Sequence, residues 1–400
     1  MTARRPLPKW GESAGVLFRV NFRGPLMKLL ILGASTRAAA HSAIRAGCVP
    51  LAADLFGDRD LVAIAQTDRV AAEAYPERLF ETALIQESEA WLFTGALENC
   101  PRLIDHLASR LRLMGIGGAP LRAVRDHFEL RELLGKGGFC IPRMAREPRA
   151  ASTGIPWILK PRQSGGGRGI VTWEGQDFDE SSYLQEKIEG ENLSAVFIGD
   201  GQGATLRGVC EQSIGYAGTP FGYRGSLGPW PVSSNARHRV AELGDFIGRC
   251  FQLRGLFGID FILRGIEPWT IEVNPRYTAS LEVLELAYRS SILTEHFETF
   301  SGAASLPLPE LQASRYVAKE VLFAEKPVRF DDGETGLIAT SVRFEVPRLA
   351  DIPQVGTCFE PGGPIVTVFG EGTTIDLCRL DLDRNRQLAR SYLKPLKSEP

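Results

Sequence analysis

No two cysteines in this chain stand at a redox or metal-binding spacing. Cys48, Cys100, Cys140, Cys210, Cys250, Cys358 and Cys378 are scattered singly, with neither C-x-x-C nor a paired framework, which predicts reduced, mostly buried thiols in a cytoplasmic protein. The five histidines, His41, His106, His127, His238 and His296, include no H-x-x-x-H pair or Cys/His cluster, so no zinc site is expected. An excess of one charge is also missing. The 46 Lys+Arg against 48 Asp+Glu leave a formal charge of −2, and nothing draws nucleic acid or an anionic membrane from a distance. No apolar run approaches the roughly 18 residues of a membrane span. Any anion site must be local.

What is present is a globular composition. The 400 residues, 44% of them hydrophobic, can bury a sizeable core and predict two or three domains. Residues 1–26 mix basic residues, Pro and Gly without periodicity and lack the apolar stretch of a secretory signal. They read as a start-site extension ahead of Met27 or as a disordered tail. "KLLILG" is a strand broken at Gly33, "ASTRAAAHSAIRAG" a helix stopped by Gly47, and "CVPLAADLF" a second strand reaching Asp54. That order opens a parallel, doubly wound sheet over residues 27–124. Its Gly33-Ala34-Ser35 turn is not a full G-x-G-x-x-G, so dinucleotide binding there is weakly signalled. From Arg125 a helix closed by Gly137-Gly138 leads to a strand near Ile141. A glycine loop between two strands follows, then a turn at Gly190 and a hairpin joining "GLFGIDFIL" to "WTIEVNPR". Residues 302–400, including "GETGLIATSVRFEV", predict a small β-rich domain with Gly/Pro turns.

Two motifs carry chemistry. Lys160 ends an apolar strand and precedes "PRQSGGGRG". Successive glycines let backbone N–H groups face phosphate oxygens, and Lys160 and Arg168 supply positive charge, although the spacing is not that of a G-x-x-x-x-G-K-[ST] loop. An ordinary turn is the bland alternative. In "WTIEVNPR", strand alternation aims Glu272, Asn274 and Arg276 one way and Ile271 and Val273 the other. Hairpin pairing brings Asp260 beside Glu272. Two adjacent carboxylates repel unless a cation sits between them, and Mg²⁺ suits such oxygen ligands.

Lysine, glycine loop, "LQEKIEG" and D…E-x-N-x-R, in that order, resemble the ATP-grasp superfamily, in which two α+β subdomains clamp ATP behind a Rossmann-like domain. The resemblance spans residues 28 to 300, within a domain expected at 125–301. It leans toward the carboxylate–amine ligase branch that includes tyramine–glutamate ligase of methanofuran biosynthesis. It implies an α/β and α+β architecture and use of ATP with Mg²⁺ or Mn²⁺. Lys160 matches the lysine on the α/β-phosphates, and Ser164, Gly165, Gly166, Gly167, Arg168 and Gly169 match the loop over them. Gln185, Glu186 and Ile188 match the adenine-binding segment. Asp260, Glu272 and Asn274 match the metal ligands, and Arg276 matches the arginine near the γ-phosphate or acyl phosphate. Two departures stand out. His127 occupies the place of an early lysine, and Asn192, unless Glu191 serves, replaces the ribose-binding acid.

"GYRGSLGPW" reads as a surface turn or, if functional, as a loop whose Tyr223, Arg224 and Ser226 meet the acceptor. Tyr277 to Ser280 either line the same pocket or cap the following helix. The resemblance implies an ATP-dependent ligase joining a carboxylate to an amine through an acyl phosphate, with small-molecule partners and a homodimeric assembly. A non-catalytic ATP sensor and a bicarbonate-activating carboxylase-type enzyme stay open beside it.

Overall fold

The computed structural model describes residues 26–216, 218–302, 308–333 and 343–396. The N-terminal extension and most of "GETGLIATSVRFEV" therefore lie outside the described residues.

The first sheet is parallel, in the order β3-β2-β1-β4, from β1 (Lys28–Leu32), β2 (Val49–Asp54), β3 (Gln66–Arg69) and β4 (Ala90–Phe93). Both central strands are apolar along nearly their whole length, as strands covered on two faces must be. Gly33 is small because a Cβ there would meet Thr94 Oγ1 at 1.9 Å. Asp54, the strand-end acid, is fully buried and occupied locally. It accepts from Thr36 N and Oγ1 at 3.1 and 3.0 Å and from the amides of Phe56 and Gly57. It braces a turn.

A small antiparallel leaf in the order β5-β8-β6-β7 joins β5 (Met144–Ala145), β6 (Trp157–Pro161), β7 (Val171–Thr172) and β8 (Ser182–Glu186). The strand expected near Ile141 begins at Met144, beyond Pro142, which has no N–H to offer a ladder. The main sheet has eight strands in the order β13-β12-β9-β10-β11-β14-β18-β16. They are β9 (Glu191–Asp200), β10 (Ala204–Tyr216), β11 (Thr219–Gly228), β12 (Arg254–Arg264), β13 (Glu267–Asn274), β14 (Tyr316–Phe323), β16 (Leu349–Ala350) and β18 (Pro364–Gly372).

One expectation is corrected here. "GYRGSLGPW" is no surface turn, because residues 222–228 lie in β11, inside the sheet. Its glycines answer close approach: a Cβ on Gly225 would meet Lys319 O at 2.3 Å, and one on Gly228 would meet Cys210 Sγ at 2.5 Å. The segment after residue 302 is rich in strands, as expected, and also carries a helix. Its strands β14, β16 and β18 extend the main sheet, and a 17-residue helix, Ile375–Ser391, packs on them, with Thr374 accepting from Leu377 N as its cap. A three-stranded sheet of β17 (Cys358–Phe359), β15 (Val328–Phe330) and β19 (Leu393–Pro395) completes it. Among the described residues no helix is long and apolar enough to cross a membrane.

The helix Ala279–Tyr288 ties these parts together. Glu282 on it accepts from Arg37 of the N-terminal helix at 2.5 and 3.1 Å and from Lys319 of β14 at 2.9 Å, while Arg37 also donates to Asp351 at 3.1 Å. Nearby, His296 is buried between Leu256 N, which donates to its Nδ1 at 2.8 Å, and Met114 O, 3.2 Å from Nε2. Burial pushes this imidazole down to about 4 from 6.5, against the opposing pull of the Met114 carbonyl. The folded state is thus the weaker proton binder, so stability rises with pH across that window. About 3 kcal/mol is expected to be lost as pH falls from 6.5 to about 4. Urea titrations at pH 7 and 5 should show a smaller difference in His296→Gln than in the unsubstituted protein; equal differences would acquit His296.

Candidate active site

The main sheet and the leaf face each other across a cavity of about 640 Å³. On the leaf, Lys160 at the end of β6 is buried and donates to Gln185 Oε1 at 3.2 Å, with its ammonium 5.9 Å from the centre of the Tyr183 ring. The ring of His127, first residue of the helix His127–Lys136 that Asp126 caps, lies 5.0 Å from the same tyrosine. Burial pushes His127 down to about 4, Glu272 raising it and Lys160 opposing. It is a neutral group here, unlike a lysine. Ser164, Gly165, Gly166 and Gly167 roof the cavity. The loop rests on β11: Tyr223 N donates to Gly166 O at 2.9 Å, and Gly167, with φ +75°, sits so close that a Cβ would meet Phe221 O at 2.0 Å. Gln185, Glu186, Ile188 and Asn192 line the end where the leaf joins the sheet. Glu186 is partly engaged, accepting from Arg143 N at 3.0 Å. Glu191 accepts from Trp230 Nε1 at 2.9 Å and does not line the cavity, whereas Glu189 does.

On the sheet, Asp260 and Glu272 are direct cross-strand partners of β12 and β13. A β-bulge follows, since Phe261 pairs with Thr270 and leaves Ile271 unopposed. Ile271 consequently lines the same cavity as Glu272, contrary to strict alternation. Arg276 lies beyond the strand, turned by its own N–H to Asn274 O at 2.8 Å.

The electrostatics are asymmetric. Burial would raise Glu272, but Arg125 and Lys160 outweigh it and hold the carboxyl at about 2. Asp260 goes the other way, up to about 6, through burial and the charge of Glu272. Two facing carboxylates with one so strained suit a divalent cation. Asn274 donates to Asp260 at 2.9 Å, and its oxygen is occupied by Arg276 at 3.1 Å. Asp260 and Glu272 are the candidate ligands, although Asp260 also accepts from Gln212 and Glu272 from Arg125, and Asn274 would join only after its amide turned. Among the described residues no three His, Cys, Asp or Glu gather into one metal cluster.

Not every expected residue reaches the cavity. Arg168 and Gly169 line a separate groove with Glu360 and Gly362. Arg224 faces Glu320 at 3.6 Å, Ser226 bonds Tyr223 at 2.8 Å, and Tyr277 points away to Ser42 at 2.8 Å. Of that group only Tyr223 lines the site.

Several participants went unread in the sequence. Arg125 pairs with Glu272, and Glu98, 3% exposed, accepts from Arg276 at 2.8 Å. Gln212 donates to Asp260 at 3.0 Å. Thr278 and Ser280, which the sequence did offer as pocket residues, line the cavity at the start of the helix Ala279–Tyr288, 8% and 2% exposed. With Arg276, whose guanidinium is held by Glu98, Tyr277 O and Asn274, they border one end of the cavity.

Residues 124–280 match the family described as the ATP-grasp domain. The chain carries an ATP-grasp domain. An uncharacterized protein of Methanocaldococcus jannaschii is 22% identical over 374 residues, 88% of this chain and 90% of that one. A formate-dependent phosphoribosylglycinamide formyltransferase of Nitratidesulfovibrio vulgaris is 26% identical, over 45% of this chain and 48% of its own. The chain thus spans about half of that enzyme. Among solved structures, an L-amino acid ligase from Bacillus licheniformis superposes with a TM-score of 0.67 at 13% identity, over 93% of this chain and 99% of that one. The biotin carboxylase domain of a Hydrogenobacter thermophilus 2-oxoglutarate carboxylase, in complex with MgADP, ADP and bicarbonate, gives 0.70 at 16%, over 93% and 91%. At such identities the superpositions establish the fold alone.

Proposed function

We propose that the protein is an ATP- and Mg²⁺-dependent ligase that activates a carboxylate as an acyl phosphate and transfers the acyl group to an amine. One observation carries this reading. A single cavity holds a cationic, glycine-roofed half beside two carboxylates and, next to them, Arg276, Thr278 and Ser280, which would cradle a substrate anion. In this reading residues 27–124 form a Rossmann-like part, 125–301 the ATP-grasp part, and 302–400 complete the sheet.

Lys160 and the amides of Ser164–Gly167 would face the phosphates, Gln185 to Ile188 the adenine, and Asn192 or Glu189 the ribose. Asp260 and Glu272 would hold Mg²⁺, which when bound neutralises phosphate charge. The cradle aligns a substrate carboxylate oxygen with the γ-phosphorus. As that bond forms, the bond to ADP breaks; an uncharged amine then attacks the acyl carbon, inorganic phosphate leaves, and the nitrogen sheds a proton. Transfer of this kind is mostly positioning and charge compensation, which fits a site rich in guanidinium and backbone donors. The closed loop keeps water from the acyl phosphate.

Calorimetric titration with a non-hydrolysable ATP analogue, with and without Mg²⁺, followed by ADP-release assays over amino acids and bicarbonate, tests the proposal. Metal-dependent binding and ADP release that needs both a carboxylate and an amine are expected. Release with bicarbonate alone would move the reading to a carboxylase, the class of the Hydrogenobacter structure. Absence of nucleotide binding would sink both.

A further inference from the structure

The turn after β4, Thr94 to Asn99, belongs to the N-terminal sheet yet reaches into the cavity between the other two parts. Gly95 packs on the Arg276 guanidinium, where a Cβ would lie 3.5 Å from Cζ, and Glu98 pairs with the same arginine. Ala96 holds a left-handed backbone, φ +78°, a conformation that costs a residue with a Cβ about 1 kcal/mol or more and that persists only where the surroundings enforce it.

The enforcing contacts converge on Asn99. Its Nδ2 donates to Ser164 O, the first residue of the glycine roof, at 3.2 Å, and its Oδ1 accepts from Arg125 Nη2 at 3.2 Å. Only one orientation of the amide satisfies both partners, because Arg125 can only donate and a carbonyl can only accept. Arg125 in turn pairs with Glu272. A continuous chain therefore runs from the Glu272 carboxylate through Arg125 and Asn99 to the loop backbone.

We propose that Asn99 is a positioning residue that latches the glycine loop shut from the N-terminal sheet, and that Arg125 sets the latch by fixing the orientation of the Asn99 amide. The loop backbone and the Glu272 ion pair are thereby joined through one chain of hydrogen bonds. The proposal rests on the reading above only for what the loop encloses, and the latch is tested without any ligand.

The test uses the full chain, unliganded, and follows deuterium exchange of amides 164–169 and trypsin cleavage after Arg162 and Arg168. Losing one neutral hydrogen bond of about 1 kcal/mol corresponds to about 5-fold more opening. Asn99→Ala should therefore speed loop exchange and cleavage about 5-fold while exchange in the main sheet stays put. Asn99→Asp keeps an acceptor for Arg125 but has no N–H for Ser164, and should open the loop as much as alanine does. Arg125→Met should open it too, and the Asn99→Ala/Arg125→Met pair should remain near 5-fold where independent effects would multiply to about 25-fold. Unchanged loop exchange in both Asn99 variants, or a multiplicative double variant, overturns the latch. Nucleotide calorimetry reports separately on the ligase reading, so the two can fail independently.

Discussion

Glu272→Gln is expected to cut Mg²⁺-dependent nucleotide turnover by at least about 100-fold, since even indirect partners of metal ligands are worth 10- to 100-fold. The substitution is nearly isosteric and removes a charge that stays in place at any working pH, because Arg125 and Lys160, acting against burial, hold that carboxyl at about 2. It also relieves Asp260, whose elevation to about 6 comes from burial first and from Glu272 second. Asp260 alone would then be better ionised yet unable to bridge. Some stability should go as well, because Arg125 loses its counter-charge. Breaking a buried pair costs about 3–5 kcal/mol, and with the Glu272 side chain 28% exposed the expected loss is smaller, about 1–2 kcal/mol. Calorimetry separates the effects: the variant should bind an ATP analogue weakly and equally with or without Mg²⁺. Binding that still strengthens with Mg²⁺ as it does in the unsubstituted protein would end the assignment of Glu272 as a ligand.

Arg37→Met is expected to cost about 3–5 kcal/mol of stability without touching the cavity. That is a large part of the 5–15 kcal/mol typical of a folded domain. Arg37, 2% exposed, serves Glu282, Asp351 and Asp60 at once, three acids from three separate stretches of chain. With the guanidinium gone, Lys319 still meets Glu282, but Asp351 and Asp60 face each other without a cation. Arg37→Lys should fall between, because an ammonium cannot fork toward three carboxylates.

The pH sign follows from the acids. Burial would raise Glu282, but Arg37 and Lys319 hold it far below the usual carboxylate range, so its contribution is full above the unfolded value of 4.5 and is lost progressively as pH falls below it. Asp60, pushed up to about 6 by burial despite Arg37, acts in the opposite sense above its unfolded value. Urea midpoints for the two variants measure the net. A loss below about 1 kcal/mol in Arg37→Met would mean that packing alone joins the parts.

The readable portions of this chain were those encoded over short spans. "KLLILG" with its small-residue turn, the glycine loop after Lys160, and the hairpin carrying Asp260 and Glu272 each announce themselves within about a dozen residues. Arg125 does not. It meets Glu272 across 147 positions, and nothing near it in sequence distinguishes it from an ordinary surface arginine. Asn99 and Glu98 are hidden for the same reason, inside a turn whose function lies in another part of the molecule. The glycines of β11 misled differently. Glycine signals a turn when it supplies a positive φ, but Gly225 and Gly228 are needed for what lies beside them, Lys319 O and Cys210 Sγ. The helix Ile375–Ser391 carries many charges and exposes Leu377 and Leu380, which blurs the apolar stripe that would have marked it.

The pairing of Gly225–Gly228 with Val317–Glu320 also bears on solubility. Were the strands after residue 302 absent, β11 would become a naked margin whose N–H and C=O groups invite another chain to add to it. Its paired positions, Gly225, Ser226, Leu227 and Gly228, offer no charged side chain to fend off such a visitor. The late strands thus act as a selvage, keeping the half of the sheet that holds Asp260 and Glu272 from fraying into aggregates.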